Sequence, residues 1–281
     1  MDTAAGLPPE TALGRVCLRH PETAGLVDFY RDVVGLRVLD SGGDRTTLGA
    51  GSDPVVVLDR DPDCGQRPPG AAGLYHLAVR YPDRASLGGA LARVAASDVG
   101  LEGASDHGVS EALYLRDPAG NGVELYRDRP RDAWPADGDR VAMVTERLDR
   151  DALHADAADA DRAPPGTDLG HVHLEVTDLD ATRAFYADAL GLRVRQTAPG
   201  ALFFAAGDYH HHVGTNAWSG RTAPASGEGL AWVEVVVPDE AAFATARARL
   251  REAGVDPTDR GSGVAVADPD GNRLRLRAGD T

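Results

Sequence analysis

Apolar and polar residues alternate in short runs along this chain, and the runs recur in a fixed order. His171–Val176 alternates with period two, as a strand with one buried face does. Asp178–Leu190 then places apolar residues at helical spacing, with Asp178 where a helix start favours a side-chain acceptor and Gly191 placed to stop it. Ala201–Ala205 and Tyr209–Thr215 follow as further strands. The same plan of strand, helix and three strands restarts from about Leu13, Leu74 and Leu230.

The modules are copies of one another. LGRVCLRH from Leu13 returns as LGHVHLEV from Leu169, and FYRDVVGLRV from Phe29 returns as FYADALGLRV from Phe185, both 156 residues on. LYHLAVRYPD from Leu74 matches LAWVEVVVPD from Leu230, and DPAGNG at Asp117 answers DPDGNR at Asp268. The chain thus divides into an N-terminal half, residues 1–128 (modules about 12–62 and 72–128), and a C-terminal half, residues 169–281 (modules about 169–218 and 228–278). Residues 129–168 between them are Asp-, Ala- and Pro-rich and form an acidic connector, with one short helix expected near Arg150–Ala160.

One stretch has an unusual inner face. Leu113–Tyr126 is a hairpin whose turn, Asp117-Pro118-Ala119-Gly120-Asn121-Gly122, carries the residues a chain reversal needs. Leu113, Leu115, Val123 and Leu125 share one parity, whereas Tyr114, Glu124 and Tyr126 share the other. Strand His76 and strand residues His171, His173 and Glu175 are split from their aliphatic neighbours in the same way. Taken alone, a strand histidine is more often a hydrogen-bonded core or surface residue than a ligand, and one carboxylate is more often solvated.

Composition narrows the setting. Net charge is −15, all 29 basic residues are Arg, and 33 of the 44 acidic residues are Asp. Such a surface repels nucleic acid and anionic membranes, so neither is expected as a partner. The Asp excess suits a protein working in concentrated salt, where self-repulsion is screened. The two cysteines do not suggest a disulfide framework, and the first residues lack the basic start and apolar block of a secretory signal. The cytoplasm is the expected compartment.

The βαβββ unit repeated four times resembles the vicinal oxygen chelate superfamily, which includes glyoxalase I, bleomycin and fosfomycin resistance proteins and type I extradiol dioxygenases. The resemblance covers nearly the whole chain. It implies an α+β fold in which four βαβββ modules form two incomplete barrels with helices outside, and it turns the polar parity toward a cavity that holds a metal. HGVSEALYLRDPAGNGVE, His107–Glu124, resembles the extradiol dioxygenase motif of His, Tyr, Asp-Pro-x-Gly and Glu, with Ser105 a small departure two residues earlier. ELYRDRPRDAWP and YHHHVGTNAWSG resemble the catechol 2,3-dioxygenase branch.

Carried over position by position, Glu124 is a metal ligand, Tyr114 contacts the substrate oxygens, and His107 hydrogen-bonds nearby. His76, Glu124 and His173 form a two-histidine, one-carboxylate triad suited to Fe(II), with Mn(II) as the alternative ion. YHHHVG matches the place of the family's acid–base histidine, assigned to His211, with His210 and His212 expected to point the other way. The third ligand must come from a module other than the second. Cys17, His173 and Trp232 were the matched positions, and only His173 completes the triad, so the second and third modules should share a barrel. Cys17, Trp232, Glu234 and Arg275 then become packing and an internal ion pair. The implied reaction is Fe(II)-dependent extradiol cleavage of a small aromatic diol by O2, and proteins of this fold often form homodimers. The alternatives are a glyoxalase-type isomerase, a fosfomycin-modifying metalloenzyme and a metal-free binding protein of the bleomycin-resistance kind.

Overall fold

The computed structural model describes residues 6–138, 140–158 and 161–279. All four modules are present in the expected order. The first is β1 (Ala12–His20), α1 (Ala24–Asp28), β2 (Arg37–Gly42), β3 (Arg45–Ala50) and β4 (Asp53–Arg60). The second is β5 (Gly73–Tyr81), α2 (Arg84–Ala96), β6 (Gly103–Asp106), β7 (Ser110–Arg116) and β8 (Gly122–Asp128). The connector carries β9 (Ala136–Asp137), β10 (Arg140–Val141), β11 (Glu146–Arg147) and α3 (Arg150–Ala155). The third module is β12 (Asp168–Glu175), α4 (Leu179–Arg183), β13 (Arg193–Ala198), β14 (Ala201–Ala205) and β15 (Val213–Asn216). The fourth is β16 (Gly229–Val237), α5 (Glu240–Glu252), β17 (Thr258–Arg260), β18 (Gly263–Ala267) and β19 (Arg273–Ala278).

The strands form two curled sheets, each an incomplete barrel. Their orders are β17-β18-β19-β16-β1-β4-β3-β2 and β11-β6-β7-β8-β5-β12-β15-β14-β13. Within a module the first strand pairs parallel with the last, as β5 does with β8 and β12 with β15, and the remaining pairs are antiparallel.

Contacts divide the chain into two compact units, Arg15–Gly65 with Tyr75–Gly170, and Met1–Gly14 with Gln66–Leu74 and His171–Thr281. The two units are built by the same devices. In the first, α1 runs into a π-helical turn, Phe29–Val33, and the fully buried Tyr30 there donates to Asp117 Oδ2 (3.1 Å) in the hairpin turn. In the second, α4 runs into the π turn Ala184–Ala189, and Tyr186 donates to Asp268 Oδ2 (3.0 Å). Each aspartate also accepts the backbone N–H groups of its own turn, so one carboxylate ties hairpin to helix. Asp83, Asp178 and Asp239 cap α2, α4 and α5, each accepting backbone N–H groups of the first turn.

Two elements differ from the sequence reading. The last strand of the third module begins at Val213 rather than Tyr209, because residues 209–212 bend on the way into it. The connector is more structured than its composition implies. β11 pairs with β6, and α3 packs on α2; residues 159 and 160 of the expected helix lie outside the described residues. No helix among the described residues is long and apolar enough to cross a membrane.

Candidate metal centre

Hairpin β7–β8 has the register its alternation predicts. Leu113 faces Leu125, Leu115 faces Val123, and Tyr114 lies directly opposite Glu124. The aliphatic four are buried on one side. On the other side Ala112, Tyr126 and Ala78 pack together with Tyr114 against them. β5 runs parallel to β8 with Ala78 beside Glu124, which leaves His76 one strand pleat away on the same face. His76 Nε2 is 3.1 Å from Glu124 Oε2, and both side chains are buried.

Behind this pair lies a second layer. The His107 ring contacts the Val144 carbonyl through Nδ1 (2.6 Å) and the Tyr114 hydroxyl through Nε2 (2.7 Å). A carbonyl only accepts, so Nδ1 carries hydrogen; in the neutral ring Nε2 then accepts from Tyr114. The connector segment supplying Val144 therefore sets the tautomer of His107. Burial, with the Glu124 carboxylate close by, raises the Tyr114 phenol well above its ordinary pKa and keeps it a neutral donor.

β12 turns His171, His173 and Glu175 to one face, and all three are buried. Among the described residues one group is suited to hold a metal ion: His76, Glu124 and His171 each offer a ligand atom, all within 4.8 Å of one another. His173 lies one pleat further along β12. Its ring sits 5.7 Å from Phe203 and 5.5 Å from Trp218, opposite Gly214, whose missing side chain leaves room for it. The group thus has His171 where the sequence reading has His173. Both share a parity, which alternation cannot separate. The spacing to the helix cap does separate them: His76 stands seven residues before Asp83, and His171 seven before Asp178.

Glu175 follows on the same face. Burial raises its carboxyl, but Arg221 (2.9 Å), Ser219 and Arg67 (2.5 Å) outweigh this and hold it below the ordinary range.

His210 and His211 precede the first paired residues, so strand alternation does not govern them, whereas the His212 backbone already bonds to Val172 and Phe204. The His211 ring is 4.1 Å from that of His171 and 5.1 Å from Phe203, and its Nδ1 is 2.8 Å from His210 Nδ1. His210 stacks on Tyr209 (4.1 Å), and His212 accepts the Ala206 N–H (3.2 Å).

The fourth module replaces donors with packing. Trp232 and Arg275 occupy the places of His76 and Glu124 in the repeat, and Arg275 lies over the Trp232 ring at 3.8 Å. Glu234 pairs with Arg277 (3.3 Å), and Cys17 of the first module is fully buried.

Comparison with known proteins agrees with this architecture. The family model described as Glyoxalase/Bleomycin resistance protein/Dioxygenase superfamily matches residues 12–125 and 168–276. A catechol-2,3-dioxygenase from Bacillus subtilis (strain 168) is 39% identical over 270 residues, covering 92% of this chain and 94% of its own. A Bacillus subtilis crystal structure, provisionally named a dioxygenase, superposes with a TM-score of 0.69 at 12% identity, covering 98% of this chain and 86% of its own. Glyoxalase I from Zea mays superposes with a TM-score of 0.58 at 17% identity, covering 95% and 92%. With both halves of the chain matched by one family model, and a relative this similar along almost its whole length, the protein belongs to the glyoxalase, bleomycin resistance protein and dioxygenase superfamily.

Proposed function

We propose that the protein is an extradiol-type dioxygenase that opens the ring of a catechol with O2, using a divalent metal held by His76, Glu124 and His171. The observation that carries this reading is the donor set: two imidazoles and one carboxylate, buried, within 4.8 Å of one another. Oxygen and nitrogen donors without thiolate suit Fe(II), and Mn(II) shares the preference. When bound, the metal supplies a chelation point for both diol oxygens and the redox chemistry toward O2. A glyoxalase-type isomerase expects a fourth donor, and the group contains three.

The surrounding residues then have defined tasks. Tyr114 presents its hydroxyl between Glu124 and the His107 ring, where it orients a diol oxygen and relays that oxygen's proton, taking it as it gives its own to His107 Nε2 and so staying a neutral phenol. Neutral His107 can take that proton because Nδ1 is committed to Val144. His211, whose ring lies 4.1 Å from that of His171, is placed to act as acid or base, and its contact with His210 Nδ1 offers a route for the proton. The 39% identity to a catechol-2,3-dioxygenase supports the reaction class.

The test starts from purified protein stripped of metal. Fe(II) or Mn(II) is loaded without air, catechol is added, and air is admitted. The expected result is a yellow ring-opened product, absent from His76→Ala and Glu124→Ala proteins that no longer retain the ion. Protein that retains neither ion, or binds one and leaves both catechol and an alkyl-substituted catechol intact, overturns the proposal.

A further inference from the structure

Trp218 is the most exposed large apolar side chain among the described residues, with 53% of its surface open, yet it is fixed in place. Its backbone N–H donates to Asn216 Oδ1 (3.2 Å), and its indole N–H donates to the Pro199 carbonyl (2.9 Å). Its ring covers Gly200, where a Cβ would come within 3.0 Å of Cδ1 and φ is +70°. An exposed indole gains little from burial, and immobilising it costs side-chain entropy. A flat apolar surface held ready in this way saves a bound partner that cost.

The location of Trp218 indicates what it meets. Its ring lies 5.5 Å from His173, which is one pleat, roughly 6–7 Å, along β12 from His171. The indole is thus at most about 12 Å from the His171 ligand position, within reach of a substituent on a diol ring chelated there. The nearby charged groups pair with one another, two guanidiniums to one carboxylate. The guanidiniums of Arg67 and Arg221 both engage Glu175, which stays ionised between them.

We infer that Trp218 is a specificity residue, a stacking platform for an apolar substituent on the diol ring. The inference rests on the proposed dioxygenase reading and narrows its substrate class to catechols that are substituted rather than bare.

The probes are catechol and 4-tert-butylcatechol, compared on metal-loaded wild-type, Trp218→Ala and Trp218→Phe proteins. Trp218→Ala is expected to lose about tenfold in kcat/KM for 4-tert-butylcatechol, mainly through KM, and less than about twofold for catechol, with Trp218→Phe in between. An anaerobic titration reads binding without turnover. Adding 4-tert-butylcatechol should quench wild-type tryptophan emission, whereas the quench should be largely lost in Trp218→Phe, which keeps Trp134 and Trp232. Equal losses for both diols, or the same quench in wild type and Trp218→Phe, overturn the inference. So does a Trp218→Ala protein with unchanged rates and an altered association state on gel filtration, which makes the indole a contact between copies. If wild-type protein cleaves neither diol, the dioxygenase reading fails, and the anaerobic titration still decides whether Trp218 meets the ligand.

Discussion

Replacing Tyr186 by Phe should destabilise the protein by an amount that depends on pH. The Tyr186 hydroxyl is fully buried and donates to Asp268 Oδ2 at 3.0 Å. Asp268 also accepts the backbone N–H groups of Asp270 (3.0 Å) and Asn272 (2.8 Å) and the Asn272 amide (2.9 Å). Despite these donors, burial pushes its pKa up to about 6. An unfolded Asp titrates near about 3.9. The folded state therefore holds this proton more tightly than the unfolded chain does. Stability from the group is complete below about pH 4 and declines as pH rises through about 6, a change of about 3 kcal/mol at 1.36 kcal/mol per unit. The tyrosine donor is worth about 1 kcal/mol to the neutral acid and about 1.5–3 kcal/mol to the carboxylate. Tyr186→Phe should cost about 1 kcal/mol at pH 4 and about 2–3 kcal/mol at pH 8, with the decline continuing to higher pH as Asp268 loses a stabilising donor. Urea titrations of both proteins at the two pH values measure this directly. A penalty that is equal at both, or larger in acid, refutes the reasoning.

Other changes test other parts of the molecule. Tyr81→Phe removes the hydroxyl's donation to an uncharged acceptor, the Val34 carbonyl (2.6 Å), and its acceptance from Arg93 (3.2 Å), whose guanidinium also reaches that carbonyl (3.1 Å). Its cost should be about 1 kcal/mol and the same at pH 4 and 8, and a pH-dependent penalty would contradict the assignment. Gly170→Ala drives a methyl into the Tyr126 hydroxyl, whose ring is fully buried, so thermal unfolding should show a loss of about 1–3 kcal/mol that Tyr126→Phe partly relieves; an unchanged midpoint counts against the contact. His211→Phe should lower kcat by about 10²–10⁴ while metal content by elemental analysis stays at the wild-type level, and normal turnover removes its proposed role. With a net charge of −15 carried mainly on Asp, the unfolding temperature should rise from dilute buffer to molar KCl. A midpoint indifferent to KCl dismisses the idea of a salt-adapted surface.

The hairpin was the most legible part of the chain, for a simple reason. A strand has period two and a tight turn fixes register, so the residues alone place Tyr114 opposite Glu124 and their aliphatic neighbours on the far side. The π turns at Phe29–Val33 and Ala184–Ala189 were not legible, because one extra residue in a helix barely disturbs an apolar pattern of period 3.6. His210–His212 are hard to read for the opposite reason. Alternation holds only while a strand is paired, and backbone bonding to the neighbouring strands starts at His212, after His210 and His211. The connector's part in the site was hidden by its composition, since Val144 acts on His107 through a backbone carbonyl that any residue type offers.

The histidines of β12 mark the limit of periodicity as a guide. His171 and His173 share a face, so parity admits both and says nothing about depth along the strand. Depth is set by where the strand hands over to its helix, and the capping aspartate marks that point because its side chain must meet the first-turn N–H groups. Counting back seven residues from Asp83, Asp178 and Asp239 gives His76, His171 and Trp232. The first two belong to the group of three metal donors, and the third lies under Arg275. A cap is a covalently fixed distance from its strand, so it carries the positional information that alternation loses. In a chain of repeated βαβββ modules, candidate donor positions are better read backward from the helix cap than forward from the strand's apolar pattern.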